Sequence, residues 1–207
     1  MFRDTLLHDI VRRIKLERQY RAWDRAGRPG RPAKTPYLVK VSAIRHYARR
    51  HGTRVLVETG TFRGNMIVAQ RNHFDRIYSI ELDPALHAAA RERLRRLRHV
   101  TLLQGDSGVE LAKVLEELGQ PALFWLDAHW SGGVTARGEI DTPISSELGM
   151  VLAHPVRGHV VLIDDAHEFT GENGYPTYEG LAREVRSLRP DLEVELRDNL
   201  IRITPRA

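Results

Sequence analysis

From residue 54 onward the chain repeats one unit: a short apolar run that stops at or just before an acid, then a segment with helical periodicity. The apolar runs cover residues 54–58, 76–81, 100–103, 122–127 and 159–164. Between them lie helical patterns over 64–72, 84–97, 108–118 and 144–152. Strands that are apolar on both faces and separated by helices belong to a parallel sheet covered on both sides. The tail reads differently. Residues 192–196 and 200–203 alternate apolar and polar around Arg197-Asp198-Asn199, which predicts an antiparallel hairpin. The expected architecture is α/β: a doubly wound, mainly parallel, seven-stranded sheet ending in that hairpin.

Ahead of this unit, Leu6, Leu7, Ile10, Val11 and Ile14 recur at helical spacing, and a second helix is expected over 39–50, closed by Gly52. The stretch Gly27-Arg28-Pro29-Gly30-Arg31-Pro32 between them reads as a loop. Residues 1–36 are therefore assigned to an N-terminal helical extension and loop, and 37–207 to the main domain. Two roles are open to the extension: pairing with a second copy in a homo-oligomer, or covering the site.

Bulk properties narrow the function classes. Cysteine is absent from the 207 residues, which excludes disulfides, thiolate metal sites and a cysteine nucleophile. No apolar run approaches the roughly 20 residues that span a bilayer. The first residues lack the apolar core and cleavage site of a secretory leader, so a cytoplasmic location is expected. The net charge of +5 invites a nucleic-acid reading. Arginine supplies nearly all of it, however, often alternating with acids as in Ala90-Arg91-Glu92-Arg93, the pattern of a solvated helix face. No nucleic-acid partner is expected.

Ligands of open parallel sheets bind beyond the carboxyl ends of the strands. Glu58, Glu81, Asp127 and Asp164 stand at four of those ends, and Asp106 lies just past the third strand. One such acid is commonly a helix cap; together they mark an edge. The first turn reads Glu58-Thr59-Gly60-Thr61-Phe62-Arg63-Gly64, which does not fit the three-glycine dinucleotide spacing. An acid leading into this loop also suits a cationic ligand better than a pyrophosphate.

This run resembles motif I of class I S-adenosylmethionine-dependent methyltransferases, in the form found in catechol-type O-methyltransferases, and the likeness extends from about Tyr37 to the end. The resemblance implies a Rossmann-like fold and a cofactor site made by Glu58, Thr59, Gly60, Phe62, Gly64, Glu81, Asp106, Ser107 and Asp127. Glu81 matches the acid that holds the ribose hydroxyls, and Asp106 with Ser107 matches the loop near the adenine. Asp106 reads equally well as an N-cap.

Leu126-Asp127-Ala128-His129 and Leu162-Ile163-Asp164-Asp165-Ala166-His167 decide the reaction type. Carboxylates converging at neighbouring strand ends repel unless protonated or bound to a cation. Hard oxygen donors favour magnesium or a similar divalent ion. Asp127, Asp164 and Asp165 are the expected metal ligands, and they resemble the metal site of TylF-type and polysaccharide-pathway sugar O-methyltransferases. That resemblance implies a small-molecule or oligosaccharide acceptor. Proton removal falls to His129, with Asp127 as the alternative base. His167, Glu139, Asp141, Trp130, Tyr37 and Lys40 are weaker candidates, the last two as lid residues or loop anchors. The rival readings are a metal-dependent hydrolase using the same acids, a nucleic-acid methyltransferase, and a non-catalytic partner protein.

Overall fold

A computed structural model describes residues 2–27, 35–127 and 143–206, with only the backbone described for 2–13. The described residues form a seven-stranded sheet in the order β3-β2-β1-β4-β5-β7-β6. Its strands are β1 (Val55–Thr59), β2 (Arg76–Glu81), β3 (Val100–Gln104), β4 (Ala122–Leu126), β5 (Val160–Ile163), β6 (Leu192–Arg197) and β7 (Leu200–Pro205). The first five are parallel, and β7 runs antiparallel to both β5 and β6. The helices are α1 (Phe2–Arg25), α2 (Tyr37–His51), α3 (Asn65–Gln70), α4 (Pro84–Leu94), α5 (Ser107–Glu117), α6 (Ile144–Ala153) and α7 (Tyr178–Leu188). A single 3₁₀ turn, Ala166–Glu168, follows β5.

The continuous apolar character of the central strands has the expected cause. Every residue of β1, β4 and β5 is buried. Alternate side chains enter two separate cores. Val55, Val57, Phe124, Leu126, Val161 and Ile163 pack with α5, α6 and α7. Leu56, Leu123, Trp125 and Leu162 pack with α2, α3 and α4. At about 25 cal/mol per Å² of apolar surface removed from water, this two-sided burial is the main stabilising term.

Local chemistry sets the element ends. Asp83 caps α4 by accepting from the N–H groups of Ala85 and Leu86, with Pro84 at the first helical position. Gly52 ends α2 in the left-handed region. In the terminal hairpin Asp198 and Asn199 both have positive φ, 55° and 58°, the pattern of a two-residue type I′ turn. Helix α7 is absent from the sequence expectations. Its apolar stripe of Leu181, Ala182 and Val185 lies on an otherwise charged and strongly amphipathic segment, and Thr177 caps it through the Gly180 N–H, so the helical signal is present in the sequence.

A buried histidine relay ties β4 and β5 to α5 and α6. The Ala122 N–H donates to His159 Nδ1 at 3.1 Å, so that nitrogen carries no proton. His159 Nε2–H therefore donates to His154 Nδ1 at 2.9 Å, and His154 Nε2–H donates to the Leu115 carbonyl at 3.0 Å. Burial, with His154 and Arg189 nearby, pushes the His159 pKa down from 6.5 to about 4. Unfolded His159 binds a proton in that interval and folded His159 does not, so its stabilising contribution is complete above pH 6.5 and lost as pH falls through about 4. Urea midpoints of the native protein and His159→Gln should therefore lie furthest apart at neutral pH and converge on acidification; a constant gap would show that the relay does not titrate.

Candidate active site

Parallel register brings the acids together. Thr59 pairs with Leu126, and Leu126 pairs with Ile163. The next residues of each strand, Gly60, Asp127 and Asp164, therefore stand side by side on the carboxyl edge. Sheet order reverses between β1 and β4, and the site sits at that switch point.

The turn after β1 is built around a close approach. Gly60 has φ +85°, and a Cβ placed there would lie 3.3 Å from Asp127 Cβ. Gly64 has φ +67°, and a Cβ there would lie 2.8 Å from Leu94 Cδ1. Phe62 also takes positive φ, 48°, which is costly for a bulky residue. Its side chain is 53% exposed, while its N–H donates to Glu81 Oε2 at 2.6 Å. Asp83 N–H donates to Glu81 Oε1 at 3.0 Å. Glu81 thus organises the backbone of two loops and retains acceptor capacity on both oxygens.

Glu58 is buried at the end of β1. Ser79 Oγ donates to its Oε2 at 2.6 Å, and Thr61 Oγ1 lies 2.6 Å from Ser79 Oγ. Burial pushes the Glu58 pKa up to about 8; Ser79 opposes the shift, and the Asp127 and Glu81 charges add to it. Without a cation beside it, this carboxyl is largely protonated at pH 7.

Asp127, Asp164 and Asp165 offer ligand oxygens that all lie within 4.8 Å of one another. Asp164 and Asp165 are almost fully buried. Asp165 takes φ 48°, turning the chain after β5, and its N–H donates to Asp164 Oδ1 at 2.8 Å. Burial pushes the Asp164 pKa upward, with Lys40 opposing and the Asp165 and Asp127 charges adding. This donor set fits a hard divalent ion: three oxygens from two adjacent strand ends, gathered closely enough to share one cation. Asp127, Asp164 and Asp165 would hold it.

Three participants were missed or undervalued in the sequence. Lys40 on α2 places its Nζ in a hydrogen-bonded ion pair with Asp164 Oδ2. Burial would lower the Lys40 pKa, but Asp164, Asp165 and Asp127 more than offset it and the net shift is upward. Asn199, from the hairpin turn, accepts from His167 N–H at 2.8 Å and reaches Asp165 Oδ1 with its Nδ2 at 3.5 Å. Glu147 on α6 is buried, accepts from Thr59 Oγ1 at 3.5 Å and from Ser107, and is pushed up to about 7 chiefly by burial. An isolated Glu in an amphipathic helix carries no sequence signal of its own.

The other expected residues fall into place unevenly. Asp106 is the N-cap of α5, accepting from Gly108 N–H at 2.7 Å, and Ser107 opens that helix. Tyr37 starts α2 and donates to the Asn65 carbonyl at 2.7 Å. His167 Nε2 lies 2.8 Å from Glu168 Oε1, and its Nδ1 lies 3.8 Å from Asp165 Oδ1. His129, Trp130, Glu139 and Asp141 lie outside the described residues.

Solved structures share this architecture. The O-methyltransferase TomG from Streptomyces achromogenes, involved in tomaymycin synthesis and bound to S-adenosylmethionine, matches with TM-score 0.58 at 16% identity, over 92% of this chain and 88% of that one. The O-methyltransferase from Bacillus cereus bound to S-adenosylhomocysteine matches with TM-score 0.57 at 14% identity, over 92% and 90%. The 23S rRNA methyltransferase ErmE matches with TM-score 0.52 at 16% identity, over 80% and 68%. The chain has the class I methyltransferase fold. No family model and no curated protein matches the sequence. Glu58, Glu81 and Asp127 lie along the carboxyl edge of the sheet, where open parallel sheets generally bind their ligands. Among the described residues no helix is long and apolar enough to cross a membrane.

Glu58 binds its proton more tightly when folded than when unfolded, so its contribution to stability is present below pH 4.5 and lost as pH rises through about 8. In ligand-free protein, Glu58→Gln should melt progressively above the native chain as pH rises from 5 to 9. A pH-independent difference would show that Glu58 does not titrate in this range.

Proposed function

We propose that this protein is an S-adenosylmethionine-dependent O-methyltransferase that uses magnesium or a similar divalent ion to methylate a hydroxyl, with a sugar or oligosaccharide as acceptor and the cytoplasm as its setting. The observation that carries the reading is the gathering of Glu58, Glu81, Asp127, Asp164 and Asp165 along one sheet edge at the switch point. A carboxyl held largely protonated, as Glu58 is, ionises readily beside a cationic amino-acid ammonium, and this suits the methionine end of the cofactor. Glu81, fixed by two backbone N–H groups, keeps lone pairs for a pair of ribose hydroxyls. Thr59, Gly60, Phe62 and Gly64 would pack along the cofactor, with Asp106 and Ser107 at its adenine end and Asp127 closing the far wall.

When bound, S-adenosylmethionine would supply an electrophilic methyl group, and a divalent ion, which Asp127, Asp164 and Asp165 would hold, would supply the Lewis acidity that makes an acceptor hydroxyl more acidic. The chain's own work is then positioning and proton removal. Holding acceptor oxygen and methyl carbon in line contributes up to about 10 kcal/mol in favourable systems. His129, two residues beyond Asp127, is assigned the base because the Asp127 charge is committed to the cation. The sugar acceptor rests on the resemblance of the acidic segments to TylF-type enzymes.

Calorimetric titration of S-adenosylhomocysteine should show binding that NAD does not compete for, weakened about tenfold or more by Glu81→Gln through loss of charge-assisted hydrogen bonds. Absence of binding with and without magnesium would overturn the methyltransferase reading. In a methyl-transfer assay with sugar acceptors, chelation and Asp164→Asn should each abolish turnover. His129→Ala should lower kcat by about 100-fold or more with cofactor affinity unchanged; full activity in that variant would remove His129 from the mechanism.

A further inference from the structure

Three aspartates at one strand edge do not coexist ionised without positive charge, and here α2 delivers it. Lys40 Nζ is hydrogen-bonded to Asp164 Oδ2, with its side chain 18% exposed and that of Asp164 2% exposed. Asp165 and Asp127 also act on the ammonium electrostatically. We propose that Lys40 is the resident counter-cation of this cluster and the group that a divalent ion must displace, an inference that rests on the metal-assisted reading above.

The argument is one of shared space and charge. A divalent ion bonded to all three residues needs oxygens at about 2.1 Å if it is magnesium. The Asp164 carboxylate that would supply one of them is held by the ammonium. Two cations on one buried carboxylate repel strongly in a low-dielectric setting. Helix α2 is not free to carry Lys40 away. Tyr37 Oη donates to the Asn65 carbonyl at 2.7 Å, Gln70 Nε2 donates to the Val41 carbonyl at 3.1 Å, and Arg45 Nη2 donates to the Ala69 carbonyl at 2.6 Å. The exchange therefore falls to the lysine side chain, whose four-carbon stem can rotate while the helix stays in place. Lys40 keeps the metal-free cluster neutral enough to remain folded and lowers the affinity with which the ion binds.

The chain has only four lysines, Lys15, Lys34, Lys40 and Lys113, so their acylation can be followed individually. Chelator-treated native protein would be labelled with acetic anhydride, with and without saturating Mg²⁺ or Mn²⁺, and read by peptide mass spectrometry. Lys40 should be protected without metal and become severalfold more reactive with it, while Lys113, paired with Glu110 away from the cluster, stays constant. In parallel, calorimetry of Mg²⁺ and Mn²⁺ should show Lys40→Met binding about tenfold or more tightly than the native chain, and Lys40→Arg close to it. Unchanged Lys40 labelling on a protein that binds metal, or equal or weaker binding by Lys40→Met, would overturn the exchange and leave the metal site standing. Failure of both proteins to bind metal would remove the metal reading and the exchange together. Should Lys40→Met fail to fold, labelling of the native chain decides the question alone.

Discussion

Parallel strand register is the constraint on which the rest of this structure depends. Because β1, β4 and β5 run the same way and pair without slippage, the residue after each strand arrives at the same height on one edge. Gly60, Asp127 and Asp164 are neighbours for that reason alone. A slip of one residue would also exchange the side chains that the two faces bury, and because both cores are close-packed it is their shape complementarity that holds the register. The stability of the sheet thus pays for an electrostatically strained edge.

That strain is relieved in several ways. Glu58 is kept largely protonated by burial. Glu81 is stabilised as an acceptor of two backbone N–H groups. Asp164 pairs with Lys40, and Asn199 reaches Asp165 from the terminal hairpin. Each device lies on a different element, so α2, the β2 turn and the β6–β7 hairpin all converge on one edge. A ligand carrying an ammonium, two adjacent hydroxyls and an associated divalent cation would match these groups in charge and donor pattern. That complementarity is the physical content of the proposed function, since the fold itself is shared by enzymes as different as TomG and the rRNA methyltransferase ErmE.

Much of this was legible in the chain. The central strands β1, β4 and β5 could be read because burial on both faces leaves an unbroken apolar run, and their ends because an acid there is exceptional in so apolar a segment. The hairpin was legible because its faces differ and its turn uses Asp198-Asn199. Helix α7 was legible as well, since its apolar stripe recurs at helical spacing on an otherwise charged segment, although the sequence expectations omit it. Glu147 and Asn199 were missed because each acts through partners distant in the chain, Thr59 at 88 positions for Glu147 and His167 and Asp165 at 32 and 34 positions for Asn199.

By itself the sequence determined the class of fold, the sheet edge along which the acids gather, and the identity of those acids. Those properties follow from local periodicity and strand-end chemistry, which depend on neighbours in the chain. Only the tertiary structure decided which charges face one another. Lys40 stands 124 positions from Asp164, and nothing local to either residue specifies their meeting. It is the packing of α2 across the sheet that sets an ammonium among the aspartates, because ion pairing is a property of distance in space and not of spacing along the chain.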